Sequence, residues 1–208
     1  HGSTPWSGID PIMATAELIE SLNTIVSRRI NIINNPAVVS VGLVKAGTRN
    51  NIIPEDAQIM GTIRTFDPLL RKQIYEEIEQ IAKGVALGTG TEISVEFDVG
   101  GFYPVTFNEP KLVNAMKGSL MEASPGRFYE SNIPVTGAED FSYFSQEVPG
   151  MYFWLGINKP GVGLESANFG ERTDVAGNHS PYFYVDDSAL DEGVRAFVYL
   201  IDDYPGKF

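Results

Sequence analysis

Two histidines, His1 and His179, stand at opposite ends of a 208-residue chain that contains no cysteine. Without thiols there is no disulfide, thiolate metal site or cysteine nucleophile. His179 lies in Gly177-Asn178-His179-Ser180-Pro181, a tight loop. A neutral imidazole there either fills a surface turn or ligates a metal such as zinc. One imidazole cannot hold an ion alone, so the second role needs donors from elsewhere. His1 opens His1-Gly2-Ser3-Thr4-Pro5-Trp6. It is either the remnant of an expression tag or a loop imidazole that donates a hydrogen bond to developing negative charge.

Arg64 and Asn51 form a second group. Arg64 falls in an alternating segment with Ile59 and Ile63 on the other side, so it projects from the open face of a sheet if those isoleucines pack inward. Asn51, in Arg49-Asn50-Asn51-Ile52-Ile53-Pro54, precedes that segment, where asparagine commonly serves a turn. A solvated arginine and a turn asparagine are the plain reading. The chemical reading is a guanidinium and an amide that clamp a carboxylate. Glu139 and Asp140, in Gly137-Ala138-Glu139-Asp140-Phe141, read first as an acidic helix start and second as part of a charged pocket. No Walker loop, no G-x-S-x-G elbow and no H-E-x-x-H occurs.

The elements that must position these residues are legible in the first hundred positions. Asp10-Pro11 starts a helix: the carboxylate accepts from free N–H groups, and proline loses nothing at the first helical position. Leu18, Ile19, Leu22, Ile25, Val26 and Ile30 follow at helical spacing until Asn34-Asn35-Pro36. Residues 37–46 predict a strand with Val39, Val41 and Leu43 on one face, and residues 57–66 predict another. Asp67-Pro68 starts a second helix along Leu70, Ile74, Ile78, Ile81 and Val85, ended by Gly88-Thr89-Gly90. Ile93, Val95, Phe97 and Val99 then alternate as a last strand. The order helix, strand, strand, helix, strand becomes a βαββαβ sandwich if one strand precedes His1.

A break at Gly100-Gly101-Phe102-Tyr103-Pro104 suggests two domains, 1–100 and 101–208. The second half predicts a helix after Asn108 or Pro110 and a strand buried on both faces from Met151 to Leu155. A loop-like stretch follows over residues 158–181. The last helix, starting near Asp187-Ser188, is expected to carry Leu190, Val194, Phe197, Val198 and Ile201 inward. This half reads as part of an α/β domain, so the chain reads as a piece of a longer protein. Lys plus Arg number 15 against 27 Asp plus Glu, a net charge of −12, which argues against nucleic acid as a partner. No apolar run reaches the ~20 residues of a membrane span. Missing cysteine fits a reducing, cytoplasmic setting.

Six ordered segments together resemble the metal-dependent aminoacylase and carboxypeptidase family, in particular its hippurate hydrolases and auxin–amino acid conjugate hydrolases. They are His1-Gly2-Ser3-Thr4-Pro5 with Gly8-Ile9-Asp10-Pro11, Gly47 to Pro54, Gly61-Thr62-Ile63-Arg64-Thr65, Gly137 to Ser142, Pro149-Gly150 to Gly156, and His179-Ser180-Pro181-Tyr182-Phe183. The resemblance implies an α+β protein: a βαββαβ lid domain over 1–100, its first strand missing, then the C-terminal portion of an α/β metallohydrolase catalytic domain. It implies a homodimer through the lid and two divalent ions, zinc or manganese, in the intact protein. It implies hydrolysis of the amide of an N-acyl amino acid by a metal-activated water. By resemblance, His179 is a metal ligand and His1 steadies the tetrahedral intermediate across the dimer. Asn51 and Arg64 hold the substrate carboxylate, and Glu139 and Gly156 line its pocket. The other metal ligands and the general base fall outside this chain, so the chain alone is expected to bind metal weakly or not at all and to be inactive. Two other readings stand beside it: a carboxypeptidase acting on peptides, and a dimerisation or carboxylate-binding module without catalysis.

Overall fold

Two aspartate–proline pairs organise the first part of the structure, a computed structural model that describes residues 1–33, 35–131, 133–157 and 176–207. The chain forms two compact units, His1–Phe102 and Tyr103–Phe208. In the first, the Asp10 carboxylate accepts from the Ile12 N–H at 2.9 Å and opens helix α1, Pro11–Leu22. The predicted helix does not run unbroken to Ile30. The Asn23 amide donates to the Ile19 carbonyl at 2.9 Å and the Thr24 hydroxyl to the Ser21 carbonyl at 2.6 Å. These side chains add second bonds to carbonyls of the last turn of α1, where the Asn23 N–H also reaches Ile19, and the chain widens into a π-helical turn, Ile25–Arg29. Asn34, within the expected stop, lies outside the described residues.

Strands β1, Ala37–Ala46, and β2, Ala57–Thr65, pair antiparallel, with Val39 opposite Ile63 and Val38 opposite Arg64. Register shifts between Val41 and Leu43, so Leu43 lies opposite Met60. Burial still alternates through half-buried Leu43, as expected, and the bulge at Gly42 shifts the pairing rather than that pattern. Gly61 faces the bulge, where a Cβ would collide with the Ser40 carbonyl oxygen. Helix α2, Pro68–Thr89, begins when the Asp67 carboxylate accepts from the Leu69 N–H at 2.8 Å, and ends at Gly90 with φ 73°. Leu18, Leu22 and Ile25 pack with Leu70, Ile74, Ile81 and Val85 over one face of the hairpin, against Val39, Val41, Ile59 and Ile63.

Residues 91–99 form no strand: among the described residues β1 and β2 are each other's only ladder partners. The segment is fixed instead by side chains. Ile93 and Val95 join the core, and the Phe97 ring stacks on Tyr75 at 3.9 Å. The Tyr75 hydroxyl donates to Asp98 at 2.7 Å, and the Arg71 guanidinium lies 3.9 Å from the Phe102 ring centre.

In the second unit, α3, Pro110–Ala123, packs on α5, Ser188–Asp203, and α4 is a short helix, Phe141–Glu147. The expected inward face of α5 is wrong. Leu190, Val194, Phe197, Val198 and Ile201 are all exposed, and Ala189 and Ala196 are the buried positions. Helix α5 turns Glu192 and Asp203 toward α3, where Ser124 donates to Glu192 at 3.2 Å and Ser119 to Asp203 at 2.5 Å. The packed face combines these polar pairs with Ala196, Tyr199 and Leu200 against Leu120 and Ala123. The Met151–Leu155 strand is absent too, and Trp154 is 59% exposed. The Asn108 side chain donates to the Tyr152 carbonyl at 2.8 Å and accepts from the Tyr152 N–H at 2.7 Å, taking the bonds a neighbouring strand would make. Of the expected loop 158–181, residues 158–175 lie outside the described residues. No helix among the described residues is long and apolar enough to cross a membrane.

Candidate functional site

The hairpin decides which candidate residues can act together. Residues 47–56 join β1 to β2, and Asn51 sits in that loop. The Gly2 N–H donates to the Asn51 carbonyl at 2.8 Å, so the His1 turn docks on the Asn51 loop. A Cβ at Gly2 would lie 3.1 Å from that carbonyl oxygen, and glycine is what permits the approach. Methyl groups added at Gly47 and Gly90 would each lie 3.8 Å from Ile12 and Ile9 respectively, which places the start of α1 and the end of α2 at this same end.

Arg64 is at the other end. It pairs with Val38 next to the last rung, Ala37 with Thr65, and precedes the start of α2. Seven residues separate it from Ala57, the first residue of β2, a span of roughly 23 Å at ~3.3 Å per residue. An arginine side chain reaches about 7 Å. Arg64 does project from the face opposite the helices, as its neighbours Ile59 and Ile63 pack inward. A clamp made by Asn51 and Arg64 on one chain is therefore not what the register builds.

The His1 imidazole is exposed and oriented by its own turn. The Ser3 N–H donates to Nδ1 at 3.2 Å, and the Ser3 hydroxyl lies 2.7 Å from the same atom. The His1 carbonyl accepts from the Thr4 N–H at 2.9 Å and from the Thr4 hydroxyl at 3.2 Å.

Glu139, Gly156 and His179 belong to the second unit. The Glu139 carboxylate is already engaged: Tyr152 donates its hydroxyl at 2.8 Å, and the Phe141 N–H donates at 3.2 Å. These bonds, Tyr152 first, hold Glu139 below its ordinary pKa. Asp140 is pushed up by its hydrogen bond to Glu139 and then by the Glu139 charge. Burial, followed by the bond to Glu139, raises Tyr152. Through the Phe141 N–H, Glu139 supports the start of α4. Tyr152 was not singled out in the sequence: α4 and a short irregular stretch lie between it and Glu139, and no single period links the two. Gly156 is exposed, and a Cβ there would meet nothing within 4 Å.

His179 occupies the left-handed region at φ 69°, exposed in a turn closed by the Ser180 N–H on the Gly177 carbonyl at 3.2 Å. That position leaves an imidazole free to ligate. Among the described residues, however, no group of three or more His, Asp or Glu side chains comes together that could hold a metal ion. His179 alone does not make a metal centre.

Comparison with known proteins agrees on one relationship. Residues 12–203 match peptidase family M20/M25/M40. The chain is 33% identical over 207 residues to thermostable carboxypeptidase 2 of Saccharolobus solfataricus, covering all of this chain and 49% of that protein. It is 34% identical over 202 residues to N-acetyldiaminopimelate deacetylase of Leuconostoc mesenteroides, covering 97% of this chain and 48% of the relative. The structure of the Bacillus subtilis YXEP protein, a dinuclear metal binding peptidase from the M20 family, superposes with a TM-score of 0.67 at 27% identity, over 96% of this chain and 48% of its own. The chain spans about half the length of the curated relatives it matches. With the match running through both compact units, the chain belongs to peptidase family M20/M25/M40.

Proposed function

We propose that this chain contributes the substrate-carboxylate and oxyanion contacts of an amide-bond hydrolase whose substrates are N-acyl amino acids. The observation that carries the reading is the docking of the His1 turn on the Asn51 loop, which gathers the His1 imidazole and Asn51 at one end of the hairpin. When water adds to an amide carbonyl, its oxygen takes up negative charge. A hydrogen bond from His1 at that moment lowers the barrier without tightening ground-state binding. Arg64 pairs with the substrate's carboxylate. Because Arg64 and Asn51 lie at opposite ends of β2, a substrate that touches both must lie between two chains, with His1 and Asn51 from one and Arg64 from the other. The functional unit in this reading is a homodimer formed through the first unit as a lid domain.

The intact protein is proposed to carry two divalent ions, zinc or manganese, that activate the attacking water, with His179 as the one donor from this chain; the dinuclear Bacillus relative supports that assignment. The chain by itself is then inactive. A second reading, peptides with a free C-terminal carboxylate as substrates, is favoured by the similarity to the Saccharolobus carboxypeptidase. Hippurate-type substrates, cytoplasmic location and pocket roles for Glu139 and Gly156 remain parts of the proposal. Replacing Arg64 in the intact protein tests the core of it. Arg64→Ala should lower kcat/KM by roughly 2–3 kcal/mol on a free-acid substrate, the scale of a lost charge-assisted contact, and far less on the methyl ester. Equal losses on acid and ester would refute the assignment.

A further inference from the structure

Building on that reading of His1, we propose that Ser3 is a positioning residue that fixes which nitrogen of the His1 imidazole carries the proton. A backbone N–H can only donate. With the Ser3 N–H 3.2 Å from Nδ1, that nitrogen must present its lone pair, and in the neutral ring the proton is on Nε2. The Ser3 hydroxyl, 2.7 Å from the same nitrogen, can then only donate as well, so two donors converge on one lone pair. The opposite tautomer would set the Nδ1 proton against the backbone N–H.

The arrangement also fixes the ring's direction. Nδ1 is turned back toward its own turn, and Nε2 is directed away from it. The turn cannot swing freely. Its first carbonyl accepts from the Thr4 N–H and hydroxyl, and Gly2 is bonded to Asn51. An imidazole held in this way offers one N–H in one direction. That is the requirement for stabilising charge that exists only in the transition state. All of these groups are exposed, so water competes with the Ser3 hydroxyl and the expected effect is moderate.

Two measurements test the inference. In the 208-residue chain, ¹⁵N NMR of the imidazole nitrogens involves only His1 and His179. The His1 Nδ1 resonance should fall in the unprotonated range at neutral pH and move part of the way toward the tautomeric average in Ser3→Ala, which loses the hydroxyl donor and keeps the backbone N–H. A protonated Nδ1 in the parent chain would overturn the proposal. In the intact protein, Ser3→Ala should lower kcat roughly five- to tenfold, the scale of one lost hydrogen bond, and leave KM near its original value. Ser3→Thr keeps the hydroxyl and should restore most of the loss. If His1→Ala abolishes turnover while Ser3→Ala leaves kcat unchanged, the positioning role fails and the reading of His1 survives. If His1→Ala leaves turnover intact, both fail.

Discussion

Placing Asn51 and Arg64 at opposite ends of one strand turns subunit assembly into a measurable chemical quantity. The relevant perturbation is a pair of single variants of the intact protein, Asn51→Ala and Arg64→Ala, made separately and then combined in one heterodimer. In the proposed homodimer, each single variant lacks one partner of the substrate carboxylate in both of its sites. With a charge-assisted contact worth roughly 2–3 kcal/mol, Arg64→Ala should run roughly 30- to 150-fold below the parent in kcat/KM. The Asn51→Ala loss should be smaller, about tenfold, because an amide contact is neutral.

In the proposed arrangement, the roughly 23 Å along β2 keeps one chain from supplying both groups to one substrate. In a heterodimer, one site then draws Arg64 from the Asn51→Ala chain and Asn51 from the Arg64→Ala chain and is complete, whereas the other lacks both. Co-expression with two different affinity tags isolates this species, and steady-state hydrolysis of an N-acyl amino acid reads it. About half the parental turnover is expected, one working site in two. A heterodimer no more active than the Arg64→Ala homodimer would mean that both residues serve one site from one chain, and the geometric argument would be refuted.

Further outcomes follow from the first unit. Burial, the hydrogen bond to Asp98 and the Asp98 charge raise Tyr75 to about 12. Since the fold holds that proton more tightly than the unfolded chain does, the associated stability is complete below pH ~10 and is lost as pH rises toward 12. Ultraviolet titration of the phenols should show, besides the raised Tyr152, a late-titrating tyrosine that moves toward its ordinary value in Asp98→Asn, and an unmoved transition would contradict the assignment. Ile74 is fully buried among α1, the π-turn and the hairpin, so Ile74→Ala should cost about 3 kcal/mol in urea unfolding of that unit. A cost under about 1 kcal/mol would mean that the site collapses around the gap.

Legibility varied with how local the cause was. Helices α1 and α2 begin where Asp10-Pro11 and Asp67-Pro68 place them, since a capping carboxylate and a proline act within one turn. Both hairpin strands follow from alternation. The bulge at Gly42 does not, because nothing in β1 announces that β2 will meet it one residue out of step. Residues 93–99 carry a strand's alternation, yet a strand also needs a partner, and theirs are side chains. On α5 the apolar stripe was the obvious inner face, but the opposite one packs, on Ser119, Leu120, Ala123 and Ser124, more than sixty positions away.

The candidate site was legible in residue type and illegible in arrangement. His1, Asn51, Arg64 and His179 were picked out by their chemistry and by resemblance. Their distribution between the ends of the hairpin required the register. Ser3 escaped notice because a serine two positions from a histidine is an ordinary turn residue until distances are known.

The outward apolar stripe on α5 also governs how this polypeptide should behave as a colloid. Leu190, Val194, Phe197, Val198 and Ile201 offer water a continuous greasy strip on a molecule whose net charge is −12. At low ionic strength, mutual repulsion keeps such strips apart. At about 1 M salt the screening length shrinks to roughly 3 Å, the repulsion fades and the strips can adhere. The chain should therefore stay dispersed in dilute buffer and cluster as salt is added, the reverse of an assembly held together by surface ion pairs.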